Sequence, residues 1–298
     1  MSLTWTPGPI PESRHHSRRT LPLRVEFARQ ISQWRVRGVL IVLGALPVII
    51  RLAFLIGGRG DGGGGGGGAN DGGNGRFDLA AFAQSSGTTF TAFVLVITGG
   101  FLLTLVVALL FGDMIAGESS RSTLKYLLTI PVARDRLLFV KVVVSAVILL
   151  LGVVLLTGMS LLVGMISYGT GGIQVPTGPQ LGLAESLLRI LAAVALIFVH
   201  LSWAAGFGTM LTVYVDAPLA AAGGVVLLSI VSSILEQIED LGDVRAYLPT
   251  HNTSAFSQFF AARVDYGPIA DSALSALIYG LVFTVAAAWW FRRKDISS

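Results

Sequence analysis

The residues able to do chemistry are few in this chain and widely scattered. Four histidines occur, His15, His16, His200 and His251, and there is no cysteine, so thiolate metal sites, cysteine nucleophiles and disulfides are excluded. No H-E-x-x-H pair or comparable metal-ligating cluster is present, and no G-x-x-x-x-G-K-[ST] run that could cradle nucleotide phosphates. The chain is therefore not expected to be an enzyme, to bind a metal or cofactor, or to hydrolyse ATP by itself. One segment does concentrate charge in an interpretable order: GDMIAGESSRSTLKYLLTIPVARDRLLFVK, Gly112 to Lys141. Asp113 and Glu118 open it, and Ser119, Ser120 and Ser122 offer capping oxygens. Thr123, Leu124, Lys125, Tyr126, Leu127 and Leu128 then form a short amphipathic helix that Pro131 stops before Arg134, Asp135 and Arg136. Acid, helix, stop and base in that order suit docking to a soluble partner better than catalysis.

This island must be positioned by membrane spans. The 298 residues are 53% hydrophobic and only 13% charged, with a mean hydropathy of +0.74, far from the balance of a soluble domain. Runs of about 20 apolar residues place six spans at Gly38 to Ile56, Phe90 to Phe111, Val142 to Ser167, Ile190 to Val213, Ala217 to Leu235 and Ser272 to Phe291. An all-α membrane fold in a single domain, 1–298, follows. Charge avoids the spans because each one costs about 2.5 to 3.5 kcal/mol at a helix centre. Fifteen of the 21 lysines and arginines fall before the first span, in the island or after the last span. By the positive-inside rule both termini and the island are cytoplasmic, in a multi-pass protein of the cell membrane. The net charge of +4 thus reports topology, not nucleic acid.

The remaining segments fill in this layout. In 1–37, a basic cytoplasmic stretch, Leu23, Phe27, Ile31 and Trp34 recur at helical spacing. They form either an interfacial helix lying flat on the lipid, with Trp34 at headgroup depth, or a plain basic juxtamembrane helix. Residues 57–76 include seven consecutive glycines, Gly62 to Gly68, and read as a flexible external loop. The external loop 236–271 carries two apolar periodicities, Leu241, Val244, Leu248 and then Phe256, Phe259, Phe260, Val264, broken at Pro249. Two short helices that dip into the outer leaflet or cap a cavity are expected there. Inside the spans, Arg51, Thr98, His200 and Ser202 are the candidates for a substrate path. Each also has a plainer reading: snorkelling for Arg51, and packing for the other three. Gly206, Gly208, Gly223 and Gly224 mark close helix contacts.

In its island the chain resembles the permease subunits of type-2 ATP-binding-cassette exporters. The matching positions are Asp113, Glu118, Ser122-Thr123-Leu124, Leu127-Leu128, Pro131-Val132, Arg134 and Lys141, with Ser122 where the family usually has Gly. The ending Trp289-Trp290-Phe291-Arg292-Arg293-Lys294-Asp295 is similar to that family's close, and the six-span layout agrees. The resemblance implies that 112–141 is a coupling loop whose helix, about Glu118 to Leu128, inserts into a separate cytoplasmic ATPase that carries ATP and Mg. The interfacial helix, with Phe27, Ile31 and Trp34, would flank it. A second permease, a copy or a paralogue, would pair with this one among the membrane lipids, and no nucleic acid is involved. An ATP-independent secondary transporter or channel is the alternative.

Overall fold

A computed structural model describes residues 23–57, 82–117, 134–175 and 178–293. Among them the chain is helical, with no strand: α1 (Leu23–Ser32), α2 (Trp34–Gly57), α3 (Gly87–Gly99), α4 (Phe101–Gly112), α5 (Arg134–Tyr168), α6 (Leu183–His200), α7 (Ser202–Tyr214), α8 (Pro218–Glu236) and α9 (Tyr266–Arg293). Two 3-10 segments, Glu239–Tyr247 and Ala255–Phe260, lie between α8 and α9. The Gly-rich stretch 58–76 lies outside the described residues.

Five helical stretches are long and apolar enough to cross a membrane, counting α6 with α7 as one. The expected second span is broken: α3 and α4 meet at Gly100 at an angle of 57°. Its two ends nevertheless reach opposite ends of the bundle. At one end Gly87 donates its N–H to Gly169, just past the C-terminus of α5. At the other, Asp113, just past α4, pairs with Arg35 at the start of α2. Because α5 runs 35 residues, about 50 Å at the helical rise, those two places are far apart. Taken as one span, the bent pair brings the candidate crossings among the described residues to six.

The same landmarks fix where the last helix finishes. Thr212 of α7 binds Ile115 and Ala116 beyond α4, and the neighbouring Tyr214 stacks on Trp290 of α9 with ring centroids 4.6 Å apart. The starts of α2 and α5 and the end of α9 therefore share one end of the bundle, here termed the basic end.

Local sequence explains the element boundaries. Pro218 opens α8 because its missing N–H would be unsatisfied in the first turn anyway. Ser86 caps α3, accepting the Thr89 N–H at 3.2 Å. The Ser86 hydroxyl also donates to the Gly172 carbonyl at 2.8 Å, pinning the loop after α5 onto the same cap. The third span is longer than its apolar run, since Arg134 to Lys141 continues the helix of α5.

Burial divides the helices into two groups. The apolar windows of α5 and of α6–α7 are each 56% buried, whereas α2, α9 and α8 reach only 11%, 22% and 28%. The outer three present large exposed side chains such as Ile56, Leu219 and Leu281, an arrangement suited to lipid and not to water.

Helices meet where small residues let backbones approach. A Cβ on Gly206 of α7 would lie 2.5 Å from the Gly280 carbonyl oxygen of α9, and one on Gly280 would lie 2.8 Å from the Ser202 oxygen. Gly87 against Gly164 and Gly112 against Ala222 repeat the pattern. Gly223, by contrast, faces open space. Gly280→Ala is therefore expected to lower the melting temperature of the detergent-solubilised protein, by about 1–3 kcal/mol of overpacking. Gly223→Ala, the same change on an unpacked surface, is expected to leave it unaltered or slightly raised.

Candidate functional site

The basic end is organised by ionic ties between helices that are remote in sequence. Helix α1 lies against α5, and the strip it buries is polar. Glu26 and Gln30 are buried, while Leu23 and Trp34 are exposed, Trp34 by 81%. The reason lies on α5. Lys141 is turned inward with its side chain 2% exposed and donates to Glu26 Oε1 at 3.1 Å, and Ser145 one turn on donates to the Gln30 amide oxygen at 3.4 Å. Phe27 and Ile31 flank this strip and pack on the core. A buried cation needs a partner more than Leu23 or Trp34 needs cover, so the ion pair sets the rotation of α1.

A second tie sits next to the first. Arg35 Nη1 lies 2.8 Å from Asp113 Oδ1, joining the start of α2 to the end of α4. Just beyond, the Thr212 hydroxyl oxygen accepts the N–H groups of Ile115 at 3.2 Å and Ala116 at 2.9 Å. The chain entering the island is thereby fastened to α2 on one side and α7 on the other. Between these ties and the start of α8 runs a groove of about 720 Å³. Arg29, Arg35, Asp113 and Lys141 supply its charge, and Val36, Leu110 and Leu219 much of its apolar wall.

The sequence candidates fall in different places. Asp113 is at this site; Phe27 and Ile31 pack on the core, and Trp34 is exposed. Glu118, Thr123, Leu124, Leu127, Leu128 and Pro131 lie outside the described residues, and of Arg134 only the backbone is described, opening α5. The four substrate-path candidates do not converge. Arg51 sits 4.8 Å over the ring of Tyr168 near the opposite end of the bundle. Thr98 donates to Val94 O within its own helix, and Ser202 to Ala276 O of α9. His200 Nδ1 shares a hydrogen bond of 2.9 Å with Ser272, and His200 also lines a cavity of about 290 Å³ beside the break at Gly100.

That cavity is covered by the loop expected to cap one. The loop's short helices are 3-10 segments, and Ala255 and Phe256 are buried in the core. Phe256 wedges against Gly99, where a Cβ would come within 2.6 Å of its ring. Arg189 of α6 holds the loop by donating to the carbonyls of Phe259 at 3.3 Å and Ala261 at 2.7 Å.

Sequence reading missed Arg35, Glu26 and Gln30 as site residues. A signal for Glu26 and Gln30 was present: an acid and an amide four apart on a helix that otherwise bears arginines. Its significance depended on Lys141, which lies 115 positions away from Glu26.

An all-helical bundle with five or six candidate spans among the described residues and lipid-suited outer faces defines a multi-pass membrane protein. A family model described as a protein of unknown function, DUF2705, matches residues 72–297, and the chain belongs to that family. No curated protein matches it.

Glu26→Gln and Lys141→Met are each expected to destabilise the protein, by up to about 3–5 kcal/mol, by removing one partner of a buried ion pair. The double variant, with neither charge, should recover most of the loss in a double-mutant cycle of thermal unfolding in detergent.

Proposed function

We propose that the chain is the membrane permease subunit of a type-2 ATP-binding-cassette transporter, in the exporting direction, driven by a separate cytoplasmic ATPase. The observation that carries this reading is the charged island between the second and third spans, entered at a point fastened to two other helices. The positive-inside rule puts that end in the cytoplasm, with both termini. There the segment from Glu118 to Leu128, read from the sequence as a coupling helix, would meet an ATPase that holds ATP and Mg. Asp113, Thr123, Leu124, Leu127, Leu128, Pro131 and Arg134 complete the coupling segment.

The mechanism follows from the ties. A push on the island reaches Ile115 and Ala116, which hang on Thr212, and Asp113, which holds Arg35. Displacement at the coupling segment is thus shared at once among α2, α4 and α7. On the far side of the island, the Lys141–Glu26 pair makes α1 move with α5. The sparsely buried α2, α8 and α9 leave apolar faces for lipid and for a second permease, a copy or a paralogue.

An ATP-independent secondary transporter or channel is the second reading. It is favoured by one observation, the broken second span, since discontinuous helices near mid-membrane commonly build ion and substrate sites in such proteins.

Two measurements separate the readings. Affinity purification of the full chain from its native membrane is expected to bring down a soluble ATP-binding-cassette ATPase, and Glu118→Arg to cut ATP-driven transport severalfold while membrane insertion stays normal. Full transport in that variant with the complex intact would refute the docking assignment. Transport by the chain alone, in proteoliposomes without any ATPase, would establish the second reading.

A further inference from the structure

The cavity beside Gly100 has an unusual donor inventory. Trp203 of α7 is 1% exposed and lines it, yet its indole N–H has no hydrogen-bond partner among the described residues. A buried N–H left unpaired costs about 1–3 kcal/mol, and such groups are uncommon in folded proteins. Ser229 of α8, also buried, lines the same space, and its hydroxyl makes no hydrogen bond among the described residues. Thr104 has already given its hydrogen to Gly100 O at 2.8 Å, so its oxygen remains an acceptor.

The charge of the site is one-sided. Glu236, at the end of α8, is the only carboxylate lining it, and no Arg or Lys of the described residues does so. The Glu236 carboxylate accepts the Asn252 N–H at 3.2 Å and the Thr250 hydroxyl at 3.5 Å. His251 Nδ1 lies 3.2 Å from the same group but outside hydrogen-bonding geometry. Aromatic and aliphatic surface from Trp203, Phe101 and Ile230 closes the rest. A carboxylate without a lysine or arginine disfavours anions and favours an ammonium, which aromatic faces also attract.

We propose that this cavity is a binding site for a small organic cation that also carries an oxygen acceptor, the chemistry of an amino alcohol. The ammonium pairs with Glu236, the oxygen accepts from Trp203 Nε1 and Ser229 Oγ, and the apolar body lies on the Trp203 and Phe101 surfaces. Gly100 matters because the break turns α4 aside and leaves room beneath the Phe256 wedge. The site stands at the opposite end from the arginine-lined groove, and its assignment does not depend on an ATPase partner.

The test uses the full chain purified in detergent and three probes: 2-amino-1-phenylethanol, its neutral counterpart 1-phenylethane-1,2-diol, and 2-phenylethylamine, which lacks the hydroxyl. Calorimetric titration, corrected for partition into empty micelles, is expected to show saturable binding of the amino alcohol and about tenfold weaker binding of the diol. Glu236→Gln retains an acceptor oxygen for the loop and should weaken amino alcohol binding by about tenfold as well. Trp203→Phe retains a ring and should diminish the preference for the amino alcohol over 2-phenylethylamine, leaving only the part that Ser229 supplies. Melting temperatures close to wild type in both variants establish that the fold is kept. No saturable binding, equal affinity for ammonium and diol, or an undiminished preference in Trp203→Phe would each overturn the proposal. Since no ATPase is present, failure of the permease reading would leave these results unaffected.

Discussion

A bilayer offers no water to polar groups, so every donor, acceptor and charge between the helices must find its partner within the protein. Much of this structure can be read as the consequence. Hydroxyls along the spans bond back to their own helices, as Thr98, Thr157 and Ser160 do. Lys141, fully enclosed, draws Glu26 onto it from a helix that precedes the first span. Thr212 takes up two backbone N–H groups, of Ile115 and Ala116, just beyond the end of α4. Where the constraint is met between helices, it also dictates which helices are tied to one another.

The two ends of the bundle have opposite characters for the same reason. At the basic end, arginines and Lys141 are matched by Asp113 and Glu26, and the pairs bind α1, α2, α4 and α5 into one assembly around a groove. At the other end the loop after α8 folds inward, Phe256 fills the space over Gly99, and Glu236 holds Thr250 and Asn252. The break at Gly100 lies between these regions, under the inserted loop. A span that is bent, capped by a loop and adjacent to a polar cavity combines features that a plain membrane anchor has no need for.

Much of the fold was legible because hydropathy measures the quantity a bilayer selects. The apolar runs correspond to the candidate spans, the second of them as a bent pair, and the boundary at Pro218 and the small residues Gly206 and Gly208 meant in the structure what their chemistry suggested. The candidate site was less legible. Asp113 was found from local order in the island, but its partner Arg35 is 78 positions away, and nothing in either neighbourhood pairs them. The apolar spacing of Leu23, Phe27, Ile31 and Trp34 carried no hint that Glu26 is buried, because periodicity ranks residues by transfer to lipid and takes no account of a buried lysine elsewhere.

Composition along single segments was enough to give the class of fold, the apolar runs and the asymmetry of charge. Tertiary structure alone decided that the second span breaks at Gly100, that α1 turns Glu26 toward Lys141, and that Trp203 faces a cavity with its N–H unpaired. Those features depend on which segments meet. In a membrane the meeting is settled by close backbone approach and by polar pairing over long separations, and neither leaves a periodic trace in the chain.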